Sequence, residues 1–148
     1  MKVYVGADHR GFQLRRKLID YLQAAGYDVV DDGDEQLDPA DDFPVFAGRV
    51  VADMLSSEDD DPRGILICGS GQGMCMAANR FKGVRACLGY RREAIQSARN
   101  DDDCNVLCLP ANEVNEADAK IFLETFLSQP FSEAPRHIRR RQELDRLG

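Results

Sequence analysis

The stretch from Gly64 to Gly73, GILICGSGQG, constrains the fold of this chain more than any other part of the sequence. The apolar run Ile65 to Cys68 is typical of a short strand that is covered on both faces of a parallel sheet. Met74, Ala77 and Ala78 then follow at the spacing of one helix face. These residues predict a buried strand, a glycine-rich turn and a helix in direct succession.

Cys68 stands where the predicted strand ends, and its thiol is the best candidate for a reactive group. Ligands of open α/β sheets bind beyond the carboxyl ends of the strands, where helix N-termini present free N–H groups. Gly69, Gly71 and Gly73 let the backbone approach a ligand and can form a nest that binds an anion. The alternatives are a merely tight connection and a small core cysteine.

The sequence predicts no cofactor and no metal. A P-loop requires Lys and then Ser or Thr after its last glycine, whereas Met74 and Cys75 stand there. A dinucleotide fingerprint requires other glycine spacing and an acidic residue about 20 positions further on. The five cysteines lack paired CxxC spacing, which is typical of reduced thiols and not of a zinc site or a disulfide framework.

Length and charge narrow the class of protein. A length of 148 residues is typical of a single domain, and we predict one domain that spans residues 1–148. A formal charge of −7 argues against a nucleic-acid partner, although a local basic patch is compatible with a phosphate ligand. The N-terminal sequence MKVYVG has too short an apolar run for a signal peptide, and no run reaches membrane-spanning length. We therefore predict a cytoplasmic protein without a membrane partner.

Strands and helices are predicted to alternate along the whole chain. Further strands are predicted at Val3 to Val5, Tyr27 to Val30, Val84 to Leu88 and Asn105 to Leu109. Helices are predicted around Leu14, Leu18 and Leu22, after Phe43-Pro44 with Val45, Val50, Val51 and Met54 facing inward, from Arg91 to about Asn100, from Asn115 to Leu127, and from Pro135. This order predicts an α/β fold with a five-stranded parallel sheet, helices on both faces and a C-terminal helix.

Polar residues flank the predicted first strand and second strand. Asp8 and His9 follow the first strand, where Asp8 can cap the next helix and His9 can bind an anion through a ring N–H. For Asp8 alone, capping is the favoured role. The acidic run from Asp31 to Asp42 follows the second strand and is interpreted as a solvated surface loop.

The C-terminal segment holds the dense cationic cluster of an otherwise acidic chain. Arg136 and Arg140 are four residues apart and would share one face of a helix. Such a pair can grip a phosphate through forked, charge-assisted hydrogen bonds. The alternative is a basic helix that pairs with acidic residues on the surface.

Five motifs in one order resemble those of a sugar-phosphate isomerase family that comprises ribose-5-phosphate isomerase B and galactose-6-phosphate isomerase. The resemblance covers almost the whole chain. The motifs are GADHRG at 6–11, DFP at 42–44, CGSGQG at 68–73 with AAN at 77–79, NVL at 105–107 and RHIRR at 136–140.

The resemblance implies a three-layer α/β/α, Rossmann-like fold. It also implies a homodimer, or a dimer of such dimers, whose active sites draw residues from both subunits. The implied reaction interconverts an aldose phosphate and a ketose phosphate without a metal, through a cis-enediolate. Such a reaction requires a base near the carbon acid and donors at the developing oxyanion.

The resemblance also implies roles for individual residues. Cys68 would be the proton-shuttling base, because Met74 stands where relatives without this cysteine place a glutamate. Ser70 and the N–H groups of the turn would steady the enediolate. Asp8 would hold substrate hydroxyls, and the phosphate would be held by His9, Arg136 and Arg140. The other matched substrate-binding positions are Gly69, Gly71, Gly73 and Asn79.

Three positions depart from the family pattern. Asp101-Asp102-Asp103 replaces His-Asn-Asp, so the histidine associated with opening the cyclic sugar is missing. The phosphate-associated arginine that the family has after the NVL strand is replaced around Asn112, and Phe43 replaces a tyrosine. We expect either that Asp101 acts as the ring-opening acid/base, with Asp102 beside the substrate, or that the substrate is an acyclic tetrose phosphate. A different class of answer is a non-catalytic sugar-phosphate-binding protein, or one subunit of a heteromeric isomerase.

Overall fold

Five strands and six helices alternate in the computed structural model, which describes residues 1–148. The strands are short, and the longest connection is the loop of residues 32–42 before α2. In chain order the elements are β1 (Lys2–Ala7), α1 (Phe12–Ala24), β2 (Asp28–Asp31), α2 (Phe43–Leu55), β3 (Arg63–Cys68), α3 (Gln72–Ala78), β4 (Ala86–Leu88), α4 (Arg92–Asp102), β5 (Val106–Pro110), α5 (Glu116–Ser128) and α6 (Pro135–Asp145).

The five strands form one parallel sheet in the order β2-β1-β3-β5-β4. This confirms the predicted α/β architecture with a five-stranded parallel sheet. All six residues of β3 are buried, and β3 pairs with β1 on one side and with β5 on the other. The strand that ends in Cys68 is therefore the centre of the molecule.

Two apolar clusters separate the helices into layers on the two faces of the sheet. Ile65 and Ile67 of β3 pack in the cluster that includes residues of α1, α4 and α5. Leu66 and Cys68, which point to the opposite face, pack in the cluster that includes residues of α2 and α3. Because side chains alternate along a strand, this division places the Cys68 thiol beneath α2 and α3.

One predicted core residue of α2 is wrong. Val45 is 51% exposed, whereas Phe46, which the sequence analysis left out, is buried together with Val50 and Met54. Each residue of a helix is rotated by about 100° from the one before it. The buried stripe is centred between Phe46 and Val51, so Val45 lies on the opposite, outer side of the helix.

Asp103 fastens α6 to the end of α4. It has a left-handed backbone, with φ of 51°, and directly follows α4. Its carboxylate accepts hydrogen bonds from Arg99 at 2.9 Å, from Arg141 of α6 at 2.8 Å and from Arg85 at 3.3 Å. Arg85 also binds Asp145 at 3.0 Å, so α6 is held at two points along its length.

All five cysteines are free thiols. None of the six helices combines the length and the apolar character needed to cross a membrane.

Candidate active site

The carboxyl ends of β1, β3 and β5 bring the first group of predicted site residues together. Ala7 is in register with Ile67, so Asp8 lies beside Cys68, the last residue of β3. On the other side, Cys68 is in register with Pro110 of β5. Cys68 is 5% exposed, and its side chain contributes to the apolar cluster under α2 and α3. The thiol is thus held at the mouth of the central strand.

The glycine-rich turn after Cys68 is packed too closely for larger residues. Gly71 has φ of +73°, a conformation that favours glycine. A Cβ atom at Gly69 would stand 2.7 Å from Cδ of Arg10, and one at Gly73 would stand 2.7 Å from Cζ of Phe43. The Ser70 hydroxyl is exposed and accepts a long hydrogen bond from the N–H of Gln72. Gly69 and Gly71 are buried and Gly73 is half-buried, so the turn excludes larger residues at these positions.

Asp8 caps the turn that leads into α1. Its Oδ1 atom accepts hydrogen bonds from the backbone N–H groups of Arg10 at 3.0 Å and Gly11 at 3.3 Å. The predicted role of Asp8 as a helix cap is wrong, because Gly11 is the N-cap residue of α1 and the helix has no side-chain cap hydrogen bond. Asp8 closes the turn before the helix instead. The carboxylate is buried and fixed in orientation next to Cys68.

His9 is bound by an aspartate from the acidic loop. Oδ1 of Asp41 accepts the backbone N–H of His9 at 2.9 Å and lies 2.7 Å from its ring Nδ1. The hydrogen bond to Asp41 raises the pKa of His9 above its usual value, and the charge of Asp8 acts in the same direction. Partial burial and the charge of Arg10 oppose this rise.

The acidic loop is not only the solvated surface that its charge run predicts. Its Asp34 accepts a hydrogen bond from Arg49 at 2.8 Å through the side chain and from Arg15 at 2.6 Å through the backbone carbonyl. Asp41 closes the other end of the loop on His9. The loop is therefore anchored at both ends over the carboxyl edge of the sheet.

Asp8, His9 and Asp41 place three possible ligand atoms within 4.8 Å of one another. Both carboxylates already accept hydrogen bonds from protein N–H groups there. We assign this group to hydrogen bonding around His9 and to the turn that Asp8 closes, which are its observed contacts.

A second group of predicted site residues lies at the opposite edge of the sheet. Helix α4 starts beyond the carboxyl end of β4 and returns across the sheet, so Asp101 and Asp102 lie near the amino ends of β4 and β5. Nε2 of His137, on α6, is 3.7 Å from Oδ1 of Asp101. Asp102 borders a cavity of about 600 Å³ between the ends of α4 and α6.

Charge in this second group is mixed. Partial burial and the charge of Asp101 raise the pKa of Asp102, while His137 and Arg140 act to lower it. Arg136 and Arg140 are exposed on α6, and neither makes an ion pair or a side-chain hydrogen bond within the chain. The surface-pairing alternative therefore applies to Arg141, which binds Asp103, and not to these two arginines.

Asn79 borders the same cavity as Asp102. It follows α3 at the end remote from Cys68, where its side chain accepts the N–H of Ala86 at 2.8 Å and donates to the carbonyl of the same residue at 3.0 Å. These bonds fasten the start of β4 to α3. The structural role is observed, whereas a contact of Asn79 with substrate stays a prediction.

Sequence reasoning missed Asp41 and His137 as site residues. Asp41 is one of many acids in the 31–42 run, and it meets His9 across 32 positions, so no local spacing marks it. His137 lies inside the RHIRR segment, between the two arginines, and its position on the predicted helix was the available signal. One chain thus holds two groups, Cys68 with Asp8 and His9 at one edge and Asp101 with His137 and Arg140 at the other.

Comparison with known proteins gives consistent matches over nearly the full length. A family model described as Ribose/Galactose Isomerase matches residues 3–144. The probable ribose-5-phosphate isomerase B of Mycoplasma genitalium is 38% identical over 144 residues, covering 97% of this chain and 93% of that protein. The ribose-5-phosphate isomerase B of Escherichia coli is 34% identical over 139 residues, covering 94% and 91% of the two chains.

Solved structures show the same fold. The chain is similar to a ribose 5-phosphate isomerase from Thermotoga maritima, with a TM-score of 0.92, 38% identity and coverage of 99% of this chain and 98% of that chain. It is equally similar to ribose-5-phosphate isomerase B from Mycoplasma genitalium with bound ribulose-5-phosphate, with a TM-score of 0.92, 36% identity and coverage of 98% and 94%.

Proposed function

The chain belongs to the Ribose/Galactose Isomerase family, and we propose that it interconverts the aldose and ketose forms of a sugar phosphate in the manner of ribose-5-phosphate isomerase B. Its relatives carry that name, and one of them binds ribulose-5-phosphate. A non-catalytic binding protein is not favoured, because the matching proteins are isomerases over almost the whole chain.

The observation that carries this proposal at the level of chemistry is the position of Cys68 beside Asp8, at the start of the glycine-rich turn. The Cys68 thiolate takes the proton from the carbon next to the carbonyl, and the electrons of that C–H bond form the C=C bond of a cis-enediolate. The thiol then returns the proton to the adjacent carbon, the hydroxyl proton passes from one enediolate oxygen to the other, and the second carbonyl forms. A well-placed base contributes a factor of about 10²–10⁴ to such a step.

The turn supports the charge that develops in this step. The N–H groups of Gly71 and Gly73, with the Ser70 hydroxyl, donate to the enediolate oxygens, while the fixed carboxylate of Asp8 accepts hydrogen bonds from substrate hydroxyls. Donors that are already in place need no reorganisation when charge appears. The closeness of Arg10 and Phe43 to the turn supports a small, sheltered site.

The phosphate is held by His9 together with Arg136 and Arg140, and the arginines come from a second copy of the chain. Within one chain these arginines are on α6, which packs near the amino ends of β4 and β5, whereas Cys68 ends β3 at the carboxyl edge. A symmetric dimer that joins the two edges completes two sites at once. The same pairing brings Asp101 and Asp102 to the substrate.

Asp101 leads to two candidate substrates. If its carboxylate, next to His137, transfers the proton that opens a sugar ring, a pentose phosphate such as ribose 5-phosphate is used. If ring opening is absent, an acyclic tetrose phosphate fits better. In erythrose 4-phosphate the phosphate occupies the hydroxyl that would close a five-membered ring, and erythrulose 4-phosphate has no hydroxyl placed to form such a ring with its carbonyl. The absence of a histidine at position 101 favours the second substrate, the acyclic tetrose phosphate.

Solvent exchange tests the proposed chemistry. The purified protein is incubated in heavy water with ribose 5-phosphate or erythrulose 4-phosphate, and deuterium is measured at the carbon next to the carbonyl. We expect Cys68→Ala to lower exchange by a factor of about 10²–10⁴, and Cys75→Ala, the matched control, to keep it. Binding without exchange on both substrates would contradict the isomerase, and exchange retained in Cys68→Ala would contradict the role of the thiol.

Mixing two inactive variants tests the shared site. Cys68→Ala and Arg140→Ala are each purified, combined, dissociated and reassembled. If sites are shared, random hybrid dimers have one intact site, and an equal mixture recovers about a quarter of wild-type activity. A mixture as inactive as its components would contradict a site built from two subunits.

A further inference from the structure

Asp41 makes two bonds to one residue through one oxygen atom. Oδ1 of Asp41 lies 2.9 Å from the backbone nitrogen of His9 and 2.7 Å from its Nδ1. The carboxylate is 10% exposed and the imidazole ring 30% exposed. The contact therefore fixes the position of the His9 backbone as well as the orientation of its ring.

The ring is left with one free donor. Because Oδ1 of Asp41 is an acceptor, Nδ1 carries a proton in this pair, and Nε2 makes no hydrogen bond within the chain. A carboxylate at this distance also favours the charged form of the ring. The other charged groups that act on His9 are Asp8, which favours the imidazolium, and Arg10, which opposes it.

Asp41 itself is held by the chain around it. Its backbone N–H donates to the carbonyl of Asp38 at 3.2 Å, and the Asp38 carboxylate accepts the N–H of Ala40 at 3.0 Å. This turn, together with the Asp34 contacts to Arg15 and Arg49, fixes the loop that carries Asp41 over the site. The contacts of the loop therefore hold Asp41 in position beside His9.

We propose that Asp41 is a positioning residue that holds His9 as an imidazolium and presents its Nε2–H to the phosphate of the substrate. The inference rests on the proposed function, since it assigns His9 to the phosphate. Because two hydrogen bonds to Asp41 already fix the His9 ring, the ring needs no further ordering when substrate binds. A cationic donor also binds a phosphate oxygen more strongly than a neutral one does. The acidic loop, although negative, thereby strengthens binding of an anion.

Asp41→Asn tests this inference because asparagine keeps Oδ1 as an acceptor for the His9 N–H and removes only the charge. The ring proton of His9 is titrated by NMR, and kcat and KM for the sugar phosphate are measured between pH 5.5 and 8.5. We expect the His9 titration to move down toward that of a free histidine. We expect KM near pH 7.5 to rise about threefold to tenfold while kcat changes by less than about twofold.

Asp38→Asn is the matched control, because Asp38 is on the same loop and its carboxylate contacts only the loop backbone. It should leave the His9 titration and the pH profile of KM in place. An Asp41→Asn enzyme with unchanged titration, with unchanged KM, or with kcat and KM altered equally at every pH would overturn the inference and leave the isomerase intact. A wild-type protein that is inactive on every sugar phosphate would overturn the proposed function and the inference together.

Discussion

The ring of Phe43 covers Gly73 so closely that a Cβ atom at position 73 would stand 2.7 Å from Cζ and 2.9 Å from Cε2 of the ring. Phe43 is the first residue of α2 and is 36% exposed, while Gly73 is the second residue of α3. An aromatic side chain thus closes one side of the glycine-rich turn, next to the backbone N–H that we assign to the enediolate.

Gly73→Ala should therefore lower activity more than stability. The added methyl group pushes the Phe43 ring outward, and we expect kcat/KM to fall about tenfold, or about 1.4 kcal/mol. Because the displaced ring atoms are at the exposed end of the side chain, the free energy of unfolding should fall by less than about 1 kcal/mol. Steady-state kinetics and urea unfolding measure the two effects. In a Phe43→Ala background the same substitution should cost little; equal losses in both backgrounds would contradict displacement of the ring.

Cys75 should be the first thiol to react with an alkylating reagent at neutral pH. A hydrogen bond with Cys108 lowers the pKa of Cys75 to about 7, whereas burial raises the pKa of Cys108 well above its usual range. Since the thiolate is the nucleophile, the half-buried Cys75 combines charge with access. Mass spectrometry after brief treatment with iodoacetamide should locate the label there. Cys75→Ser should abolish the fast phase and Cys87→Ser should not; first labelling at Cys68 would be the opposite result.

Asp103→Ala should destabilise the protein through loss of the link between α4 and α6. The variant removes the acceptor that Arg141, Arg99 and Arg85 share, while Arg99 keeps its bonds to the carbonyls of Cys104 and Gln129. We expect the free energy of unfolding to fall by about 1.5–3 kcal/mol. Asp145→Ala, which removes only bonds to Arg85, should cost less than about 1 kcal/mol. Urea unfolding measures both.

The effect of Asp103 should disappear in acid. Burial acts to raise the pKa of Asp103, but Arg99, Arg141 and Arg85 outweigh it and hold that pKa below its usual value. A carboxyl group with a lowered pKa stabilises the folded state above its unfolded pKa and loses this effect as pH falls through the folded value. The stabilities of wild type and Asp103→Ala should converge there, and a constant difference down to low pH would contradict the ionic mechanism.

Asp32→Asn should stabilise the protein at neutral and alkaline pH. Burial, a hydrogen bond with Asp53 and the charges of Asp53 and Asp31 raise the pKa of Asp32 to about 7, against an ordinary value of 3.8. The folded state holds a proton that the unfolded state releases, so stability contributed by Asp32 falls as pH rises from about 4 to about 7. The melting temperature of Asp32→Asn should exceed that of wild type most above pH 7 and match it near pH 4. Asp20→Asn, at an exposed position without an ion pair, should show no such trend.

The parts of the fold that depend on local patterns were predictable from the sequence. The apolar run before Cys68, the glycines and the helical spacing after them lie within fifteen residues, and they correctly placed β3, its turn and α3. Val45 was wrong because an apolar residue at the start of a helix carries no sign of which side faces the sheet. The face is set by packing of Phe46 and Val50 against strands elsewhere in the chain.

The site was less accessible to sequence reasoning because its contacts are distant in the chain. His9 and Asp41 are 32 residues apart, and the loop that joins them has no periodic pattern. The separation of Asp101 from Cys68 follows from topology, since a helix that connects parallel strands returns to the opposite edge. Predicting this separation requires the strand order as well as the position of each element in the sequence. In the structure, β5 lies between β3 and β4.

The central position of β3 also determines how the molecule responds to heat. Its backbone is hydrogen-bonded on both sides, so we expect its amides to exchange with solvent only when the whole domain opens. We expect the loop that carries Asp41, which is held to His9 by a side chain, to open locally. We therefore expect Cys68 to lie in the part of the protein that opens most slowly, and Asp41, the partner of His9, to lie in a part that opens faster. On warming, we expect affinity for the phosphate of the proposed substrate to weaken before proton transfer at Cys68 is lost.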